Sequence, residues 1–299
     1  QEIDFDDMIG RAIEYVQQGR FKPHWRYILV DEFQDISEPR ARLVKALRDG
    51  REDCSLFCVG DDWQAIYRFT GSDVSLTTRF EQYFGPTAIT TLDKTFRFNN
   101  SICEVASRFV TENPAQVDKQ LTTHLQVSQP AVSLLRQSKD INNPLKPIHQ
   151  ILKAIEQRAE AGSTVYLLAR FWYQLPDRSA VNKLNRSYPQ LTIEALSFHA
   201  SKGKEADYVV IVGLESGKHG FPSEKVPHPL MEALLPPQEP FEYAEERRLF
   251  YVALTRAKHR AYLACDMTTA SRFVVELIEQ AYPLELNEFD TSLMQQLFE

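Results

Sequence analysis

The sequence predicts an α/β fold with mostly parallel sheets, arranged as two domains within 299 residues. Short apolar runs of strand length alternate with segments whose apolar residues recur at helical spacing. A chain of this length, 43% hydrophobic and 25% charged, is large enough for about two cores. No apolar run approaches the roughly 20 residues that a membrane span needs. The composition therefore indicates a globular protein with no membrane partner.

The predicted elements follow one another along the chain. Asp4 is expected to cap a helix that ends at Gly19, and Ser37 to cap a helix that ends at Gly50. We expect strands at 27–30, 55–60, 132–135, 165–169, 191–197, 208–212 and 261–264, and further helices at 101–112, 146–160, 178–187, 240–257 and 270–281. The first two strands are apolar enough to be buried. A polar segment at 113–130 and a proline-rich loop at 222–240 interrupt the alternation.

Cysteine content and net charge narrow the class of protein only slightly. The four cysteines are too sparse for a disulfide framework and lack the spacing of a zinc site, which indicates reduced thiols and a cytoplasmic protein. The formal net charge of −7 argues mildly against a nucleic-acid partner. It does not exclude one, because phosphate binding depends on the local placement of Lys and Arg.

Two acidic residues, Asp31 and Glu32, directly follow the predicted strand at 27–30. The carboxyl ends of parallel strands form the edge at which α/β folds bind ligands. In nucleotide hydrolases an Asp at this position holds Mg²⁺, and a neighbouring Glu can polarise the attacking water. The alternative is a pair of solvated acids at a strand end.

The segment 59–71 follows the next predicted strand and holds Gln64, Tyr67 and Phe69. A glutamine here can sense a terminal phosphate, and aromatic rings can stack on unpaired bases. Aromatic residues at this spacing also occur in apolar cores, so the loop alone does not decide between the two.

Five segments of the chain resemble, in order, motifs II to VI of superfamily-one helicases of the UvrD, Rep and PcrA family. These segments are Val30-Asp-Glu-Phe-Gln-Asp35, Gly60-Asp-Asp-Trp-Gln-Ala-Ile-Tyr67, Leu92-Asp-Lys-Thr-Phe96-Arg97-Phe-Asn99, Ser197-Phe-His199-Ala-Ser-Lys202-Gly203-Lys-Glu205 and Glu245-Glu-Arg-Arg-Leu-Phe-Tyr251-Val-Ala-Leu-Thr255-Arg256-Ala257. Five ordered motifs over nearly the whole chain make chance agreement negligible.

The resemblance implies RecA-like parallel sheets in two motor domains. Residues 1–90 would be the C-terminal part of the first ATPase domain, with motifs II and III. Residues 91–299 would be a complete second domain, with motifs IV to VI. The implied function is that of an ATP-dependent DNA helicase or translocase, which couples ATP hydrolysis to 3′–5′ movement on single-stranded DNA.

The resemblance also implies roles at the nucleotide. Asp31 would hold Mg²⁺, Glu32 would act as general base, and Gln64 would orient water or contact the γ-phosphate of ATP. In the second domain, Phe96 would stack on the adenine and Glu205 would contact the ribose. Arg97 and Arg256 would place positive charge at the γ-phosphate. For Arg256 the alternative is a cation that caps the end of a helix.

On the DNA side, the resemblance implies that Tyr67 and Phe69 hold bases of the tracked strand. His199 and Lys202 would couple the nucleotide site to DNA, with a satisfied core histidine as the alternative for His199. Arg247 and Arg248 are expected to be structural salt-bridge partners. Three positions depart from the family pattern without removing a catalytic group: Thr70, Phe96 and Lys204.

Two features of the family are not found in these 299 residues. There is no Gly-x-x-x-x-Gly-Lys-Thr segment to cradle the β- and γ-phosphates. We therefore expect an N-terminally truncated chain that is inactive by itself. The interval between motifs IV and V is also too short for a large accessory subdomain, and in this it resembles the helicase IV (HelD) branch of the family.

Other functions remain open from the sequence. A helicase-like ATPase that remodels RNA polymerase would share the same motifs. A nuclease built from the clustered acids is a weaker alternative, because no separate carboxylate-and-lysine cluster follows motif VI. The expected partners are single-stranded and duplex DNA together with DNA-repair or recombination proteins, and the expected location is the cytoplasm, at the nucleoid.

Overall fold

The computed structural model describes residues 3–136 and 145–286. The helices are α1 (Phe5–Gln17), α2 (Glu38–Asp49), α3 (Ser75–Thr78), α4 (Phe80–Phe84), α5 (Asn100–Thr111), α6 (Lys146–Glu156), α7 (Arg178–Ser187), α8 (Phe198–Ser201), α9 (Pro229–Glu232), α10 (Ala244–Leu254) and α11 (Arg272–Glu279). The strands are β1 (Tyr27–Val30), β2 (Ser55–Cys58), β3 (Lys94–Asn99), β4 (Thr122–Leu125), β5 (Val132–Arg136), β6 (Ser163–Ala169), β7 (Leu191–Ser197), β8 (Ala206–Ile211), β9 (Ala257–Cys265) and β10 (Glu285–Leu286).

Contacts along the chain group these elements into two units. Unit 1 comprises residues 1–91, 114–117 and 227–245. Unit 2 comprises residues 92–113, 118–226 and 246–299. The boundary after residue 90 that the motifs suggest stays a prediction.

Unit 1 is built around a parallel pair of strands, β1 and β2, with Tyr27 opposite Ser55. Helix α1 begins with the predicted cap, because the Asp4 carboxylate accepts a hydrogen bond from the backbone N–H of Asp7. A small apolar core lies beside the strands and contains Phe33, Ile36, Ala41, Leu76 and Phe84.

Two local predictions for unit 1 are wrong. The strands β1 and β2 are half-buried rather than buried, because their side chains alternate and only one face packs into the core; Leu29 and Phe57 are exposed on the other face. Ser37 stands at the start of α2, but its side chain makes no capping hydrogen bond. Pro39 at the second position of this helix has no N–H to donate, which removes one of the two usual partners of a cap.

Unit 2 is dominated by a six-stranded sheet in the order β10-β5-β9-β8-β6-β7, in which neighbouring strands are parallel. Strands β3 and β4 form a separate parallel pair. The central strands are buried on both faces, as Leu167 and Leu168 of β6 show by having no exposed surface. Since consecutive strand residues point to opposite faces, both faces of the sheet are covered.

Helices provide this cover. Helices α6 and α7 contribute Ile151, Ile155 and Leu184 to the cluster that contains Leu167. A second cluster joins α5, α10 and α11 through edge-on or stacked contacts among aromatic rings; its members include Phe109, Phe250 and Phe273. The α/β fold with parallel sheets that the sequence predicts is therefore confirmed.

The structure contains the helices and strands that the sequence predicts for unit 2, but several of them begin or end at different residues. The helix expected at 240–257 is confirmed only over Ala244–Leu254, because β9 already begins at Ala257. Strands β3 and β4 were not predicted. Within the two described stretches of chain, no helix is long and apolar enough to cross a lipid bilayer.

Candidate functional site

The acidic pair lies immediately after β1, with both side chains exposed. Asp31 Oδ1 accepts a hydrogen bond of 2.8 Å from the backbone N–H of Glu32. Glu32 has a φ of 49°, in the left-handed region that non-glycine residues rarely adopt. Such local strain is typical of residues that are held in place for a function.

A buried glutamine connects this pair to the loop after β2. Gln34 is fully buried, and its Nε2 donates to Glu32 Oε2 at 2.5 Å. Its Oε1 accepts from the backbone N–H of Asp61 at 2.9 Å. Asp61 Oδ2 in turn accepts from Gln64 Nε2 at 2.7 Å. The structure therefore brings Glu32 and Gln64 into one hydrogen-bonded network.

Gly60 makes this network possible by its lack of a side chain. A Cβ atom at this position would lie 2.8 Å from Gln34 Oε1 and 3.0 Å from the backbone nitrogen of Gln34. The first distance is shorter than real Cβ contacts and the second is tighter than most of them, so a side chain at residue 60 would force Gln34 to shift.

The aromatic pair of the same loop lies at the surface. Phe69 is 57% exposed, and its ring centroid lies 5.9 Å from that of Tyr67 at an angle of 67°. Burial raises the pKa of the Tyr67 hydroxyl, and the nearby carboxylates of Asp35 and Glu32 raise it further. Tyr67 thus lies partly buried near Glu32, whereas Phe69 presents its ring to solvent.

Between these two rings, Arg68 is held by the segment 227–245 of the same unit. Its backbone N–H donates to Glu245 Oε1 at 2.9 Å, and its Nε donates to the carbonyl of Pro236 at 2.8 Å. The guanidinium also pairs with the carboxylate of Glu232. The aromatic loop, which is the segment 59–71 with Tyr67 and Phe69, is therefore held in place by a segment that lies far from it in sequence.

In unit 2, three of the four predicted nucleotide residues, Phe96, Arg97 and Glu205, line one pocket of about 550 Å³. Its lining comprises Lys94, Thr95, Phe96, Arg97, Leu125, Glu205, Lys258 and His259. The ring of Phe96 is exposed, so a flat base can stack on it. Phe96, Arg97 and Glu205 are therefore brought together, as expected for residues that contact one nucleotide.

In this pocket the carboxylate of Glu205 lies beside two cations, Lys258 and Arg97. The ammonium of Lys258 lies 3.1 Å from Glu205 Oε1 and is the main cause that holds the pKa of this carboxyl below its usual value; Arg97 contributes less. Arg97 Nε lies 3.4 Å from Glu205 Oε2. Desolvation opposes the shift.

Arg256 is placed differently from the other predicted residues. It is fully buried, and its guanidinium donates to the carbonyls of Val252 at 2.9 Å and Lys204 at 3.1 Å. The bond to Val252 is the contact that a cation makes at the end of a helix, here α10. Its role at the γ-phosphate stays a prediction.

The remaining DNA candidates lie beyond the carboxyl end of β7. His199 is on the short helix α8, whose first turn is capped by Ser197 Oγ, and Lys202 follows that helix. Both side chains are partly exposed, which argues against a fully buried core histidine at 199. Arg247 is confirmed as a structural partner, since it forms an ion pair of 2.6 Å with Glu276.

The acidic pair fits a magnesium–nucleotide complex. Mg²⁺ is usually bound by one or two carboxylates, several waters and the phosphates of the substrate rather than by an all-protein cage. Asp31 offers an exposed carboxylate of this kind. In residues 3–136 and 145–286 no group of three or more His, Cys, Asp or Glu side chains could hold a metal ion by itself.

Sequence reasoning missed two members of these sites. Gln34 lies inside motif II, and an amide side chain between acidic residues was the available signal. Lys258 lies two residues beyond Arg256. Its charge gave no indication of a partner 53 positions earlier, because this contact depends on the pairing of β8 with β9.

The comparisons with known proteins agree with the motifs. The UvrD/REP helicase N-terminal domain matches residues 1–85, and the UvrD-like helicase C-terminal domain matches residues 178–267. The chain belongs to the UvrD/Rep family of helicases.

Within that family, the chain is 44% identical over 272 residues to DNA helicase IV of Escherichia coli, in a match that covers 91% of this chain and 38% of that protein. It is 31% identical over 134 residues to ATP-dependent DNA helicase UvrD1 of Mycobacterium leprae, covering 40% of this chain and 17% of the relative. It is 30% identical over 128 residues to ATP-dependent DNA helicase PcrA of Bacillus subtilis, in a match that covers 41% of this chain and 17% of that relative. The chain thus spans well under half the length of each of these relatives.

Proposed function

We propose that this chain forms part of an ATP-dependent DNA helicase that moves along single-stranded DNA in the 3′–5′ direction. The observation that carries the proposal is the hydrogen-bonded path from Glu32 through Gln34 to Asp61. This path joins the acidic pair to the loop that presents Tyr67 and Phe69. A nucleotide-dependent change at the acidic pair therefore has a direct physical route to residues suited to grip bases.

Each side chain has a distinct part in this function. Asp31 holds Mg²⁺, which when bound supplies charge neutralisation at the phosphates. Glu32 accepts a proton from the attacking water, and Gln64 orients that water. In unit 2, Phe96 stacks on the adenine and Glu205 contacts the ribose. Arg97 and Arg256 provide positive charge for the γ-phosphate.

The DNA side of the proposal rests on exposed rings and nearby cations. Tyr67 and Phe69 stack on unpaired bases, while His199 and Lys202 transmit the state of the nucleotide to the strand. Duplex DNA and DNA-repair or recombination proteins are the proposed partners, and the DNA substrate places the protein at the nucleoid. No contact described for residues 3–136 and 145–286 favours remodelling of RNA polymerase instead.

The test uses a chimera in which this chain replaces the matching region of Escherichia coli DNA helicase IV; we refer to it as the helicase IV chimera. With saturating single-stranded DNA, the chimera should hydrolyse ATP in a steady-state assay. Glu32→Gln should lower kcat by roughly 100-fold or more, as expected for loss of a general base. Glu38→Gln, an exposed acid on α2, is the matched control and should leave turnover unchanged.

The 299-residue chain by itself should give no turnover in the same assay. It offers metal, water and positive charge to a nucleotide, but no phosphate loop to fix the β- and γ-phosphates in line, and positioning accounts for most of phosphoryl-transfer catalysis. Turnover by the chain alone, or a chimera insensitive to Glu32→Gln, would contradict the proposal.

A further inference from the structure

Two residues at the start of β9, Lys258 and His259, lie outside the five helicase motifs, the last of which ends at Ala257. Both line the pocket that also contains Arg97 and Glu205. Consecutive residues of a regular strand point to opposite faces of a sheet. Two neighbours in one pocket therefore require an irregular strand.

A β-bulge at the start of β9 provides this irregularity. Between Ala257 and Arg260, β9 has three residue steps where the partner strand β8 has two. An extra residue of this kind bends the strand and redirects its side chains, and such bulges are frequent beside functional sites. The bulge therefore allows the side chains of Lys258 and His259 to face the same pocket.

A side chain of motif IV holds the backbone of this bulge. Asn99, at the end of β3, is buried, and its Nδ2 donates to the carbonyl of His259 at 2.9 Å and to that of Lys258 at 3.3 Å. Its Oδ1 accepts from the backbone N–H of Ile102 at 3.1 Å and so caps α5. Because the amide is occupied on both sides, it has one orientation. The backbone of Lys258 is thus fixed relative to β3, the strand of motif IV.

The charges around Lys258 indicate what its side chain does. Its Nζ lies 3.1 Å from Glu205 Oε1 and 3.8 Å from Asp207 Oδ1. Asp207 has other partners, because the backbone N–H and the hydroxyl of Thr164 both donate to Asp207 Oδ2 at 2.8 Å. Lys258 therefore has its main contact with Glu205, and the second carboxylate helps to keep the ammonium beside it.

Glu205 has another cationic neighbour, Arg97, but that contact is longer. Arg97 Nε lies 3.4 Å from Glu205 Oε2. The proposed function assigns the guanidinium of Arg97 to the γ-phosphate, and a phosphate competes with Glu205 for this cation. Lys258 has no such second role, so it is the cation that remains with Glu205 when a nucleotide is bound.

We propose that Lys258 is a positioning residue for Glu205 and thereby sets the preference of the pocket for a nucleotide whose ribose carries hydroxyl groups. With the ammonium at Oε1, the carboxylate offers Oε2 to a ribose hydroxyl. A sugar without hydroxyls leaves this acceptor without a donor, which is how a polar site rejects an analogue that lacks a polar group. This inference rests on the proposed function, in which Glu205 contacts the ribose, and adds a residue outside the motifs to that contact.

The test compares ATP with 2′,3′-dideoxy-ATP in the helicase IV chimera, with saturating single-stranded DNA. The kcat/KM for ATP should exceed that for the dideoxy analogue roughly tenfold or more, the difference expected for one hydrogen bond to a charged group. Lys258→Met should lower this ratio roughly threefold or more through a higher KM for ATP, with kcat nearly unchanged. Lys258→Arg should restore the ratio, because it keeps a cation beside Glu205. Lys183→Met, at an exposed lysine of α7, is the matched control and should keep the original ratio.

A double-mutant cycle distinguishes this role from a loss of stability. Glu205→Gln should lower the ratio, and Lys258→Met added to it should lower the ratio no further, because the lysine acts through that carboxylate. A structural role of Lys258 would lower the turnover of both nucleotides alike and leave the ratio unchanged.

The outcomes separate the inference from the proposed function. If Glu205→Gln lowers the ratio but Lys258→Met does not, or if the double variant falls further than Glu205→Gln alone, the inference is wrong and the proposed function stands. If the ratio is near one before any substitution, or if Glu205→Gln leaves it unchanged, the ribose contact of Glu205 is contradicted together with the inference. Turnover that is insensitive to Glu32→Gln would contradict the proposed function itself.

Discussion

At the scale of single residues, Phe69 is the side chain of the aromatic loop that is most available to DNA. We expect Phe69→Ala to weaken binding to single-stranded DNA by about 1 to 3 kcal/mol, the value of one stacked base. Anisotropy titrations at fixed salt measure this, because salt alone changes such affinities strongly. Phe5→Ala, at another exposed phenylalanine, should have no effect. An unchanged Kd for Phe69→Ala would show that the strand does not pass over this loop.

Gln34 is a positioning residue rather than a catalytic one. Its amide holds Glu32 from one side and the N–H of Asp61 from the other, so Gln34→Leu leaves the general base unsupported and a buried N–H without its acceptor. In the helicase IV chimera we expect kcat to fall roughly 10- to 100-fold, as for other supporting partners of functional side chains. The KM for ATP should change little, because Asp31 and the phosphate contacts remain.

The control for Gln34 is Ser72→Ala. Ser72 Oγ donates to the backbone carbonyl of Gln34 at 3.1 Å and does not touch its amide. If Gln34 had only a structural role, Gln34→Leu and Ser72→Ala would both lower the stability of the protein, and neither would lower kcat selectively. Equal behaviour of the two would therefore contradict the positioning role.

Glu205 and Lys258 form a pair whose effect depends on pH. The native pKa of Glu205 lies below its ordinary value of 4.5, chiefly because of the Lys258 ammonium. The pair therefore stabilises the fold at neutral pH, and this contribution is lost as the pH falls through the native pKa. Lys258→Met should move the titration of Glu205 upward, as measured by carboxyl-carbon NMR shifts. Lys183→Met, an exposed charge on α7, should not. An unmoved titration in Lys258→Met would assign the shift to Arg97.

At the scale of elements, Arg68 ties the segment 227–245 to the aromatic loop. We expect Arg68→Ala to increase hydrogen exchange of the amides at 230–235 by tenfold or more, because hydrogen bonds to a half-buried guanidinium contribute roughly 1.5 to 3 kcal/mol each. Exchange measured by mass spectrometry reports this directly. Arg42→Ala, which removes an exposed pair with Glu38, is the control. Unaltered exchange at 230–235 would mean that the segment is held by other contacts.

The elements also show where sequence reasoning fails. Strands buried on both faces, such as β6 and β8, form apolar runs that are evident from the sequence. Strands β3 and β4 were missed because they form only a two-stranded pair and carry mainly polar residues, so neither an apolar run nor a clean alternation identifies them. The end of α10 was misplaced because only Thr255 and Arg256 separate it from β9, and neither a Gly nor a Pro marks the end of the helix.

The same limit applies to the candidate site. The positions of Asp31, Glu32, Phe96 and Glu205 followed from motifs, since their roles depend on short fixed spacings. Gln34 was not identified, because an amide between acidic residues has the same sequence pattern whether it is buried or faces solvent. Exposure is a property of tertiary packing and is decided by residues far away in the chain.

At the scale of the whole molecule, the fold class follows from the sequence but the composition of the two units does not. Residues 114–117 lie in a segment whose sequence indicates only a polar connection, and residues 227–245 overlap the proline-rich loop at 222–240. Side chains of unit 1 bind both segments: Trp63 donates to the carbonyl of Val117, the carboxylate of Asp62 accepts from the N–H of Val117, and Arg68 pairs with Glu232. No local sequence pattern in either segment predicts these contacts.

The two units therefore cannot be separated by one cut. The chain passes from one unit to the other five times, after residues 91, 113, 117, 226 and 245. A gene truncated after residue 91 would encode most of unit 1 but would deprive the indole of Trp63 of its acceptor and Arg68 of all three partners named above. Such a product should be far more susceptible to proteases than the intact chain. Dissection of this protein into separately expressed halves would thus divide its sequence without yielding two folded bodies.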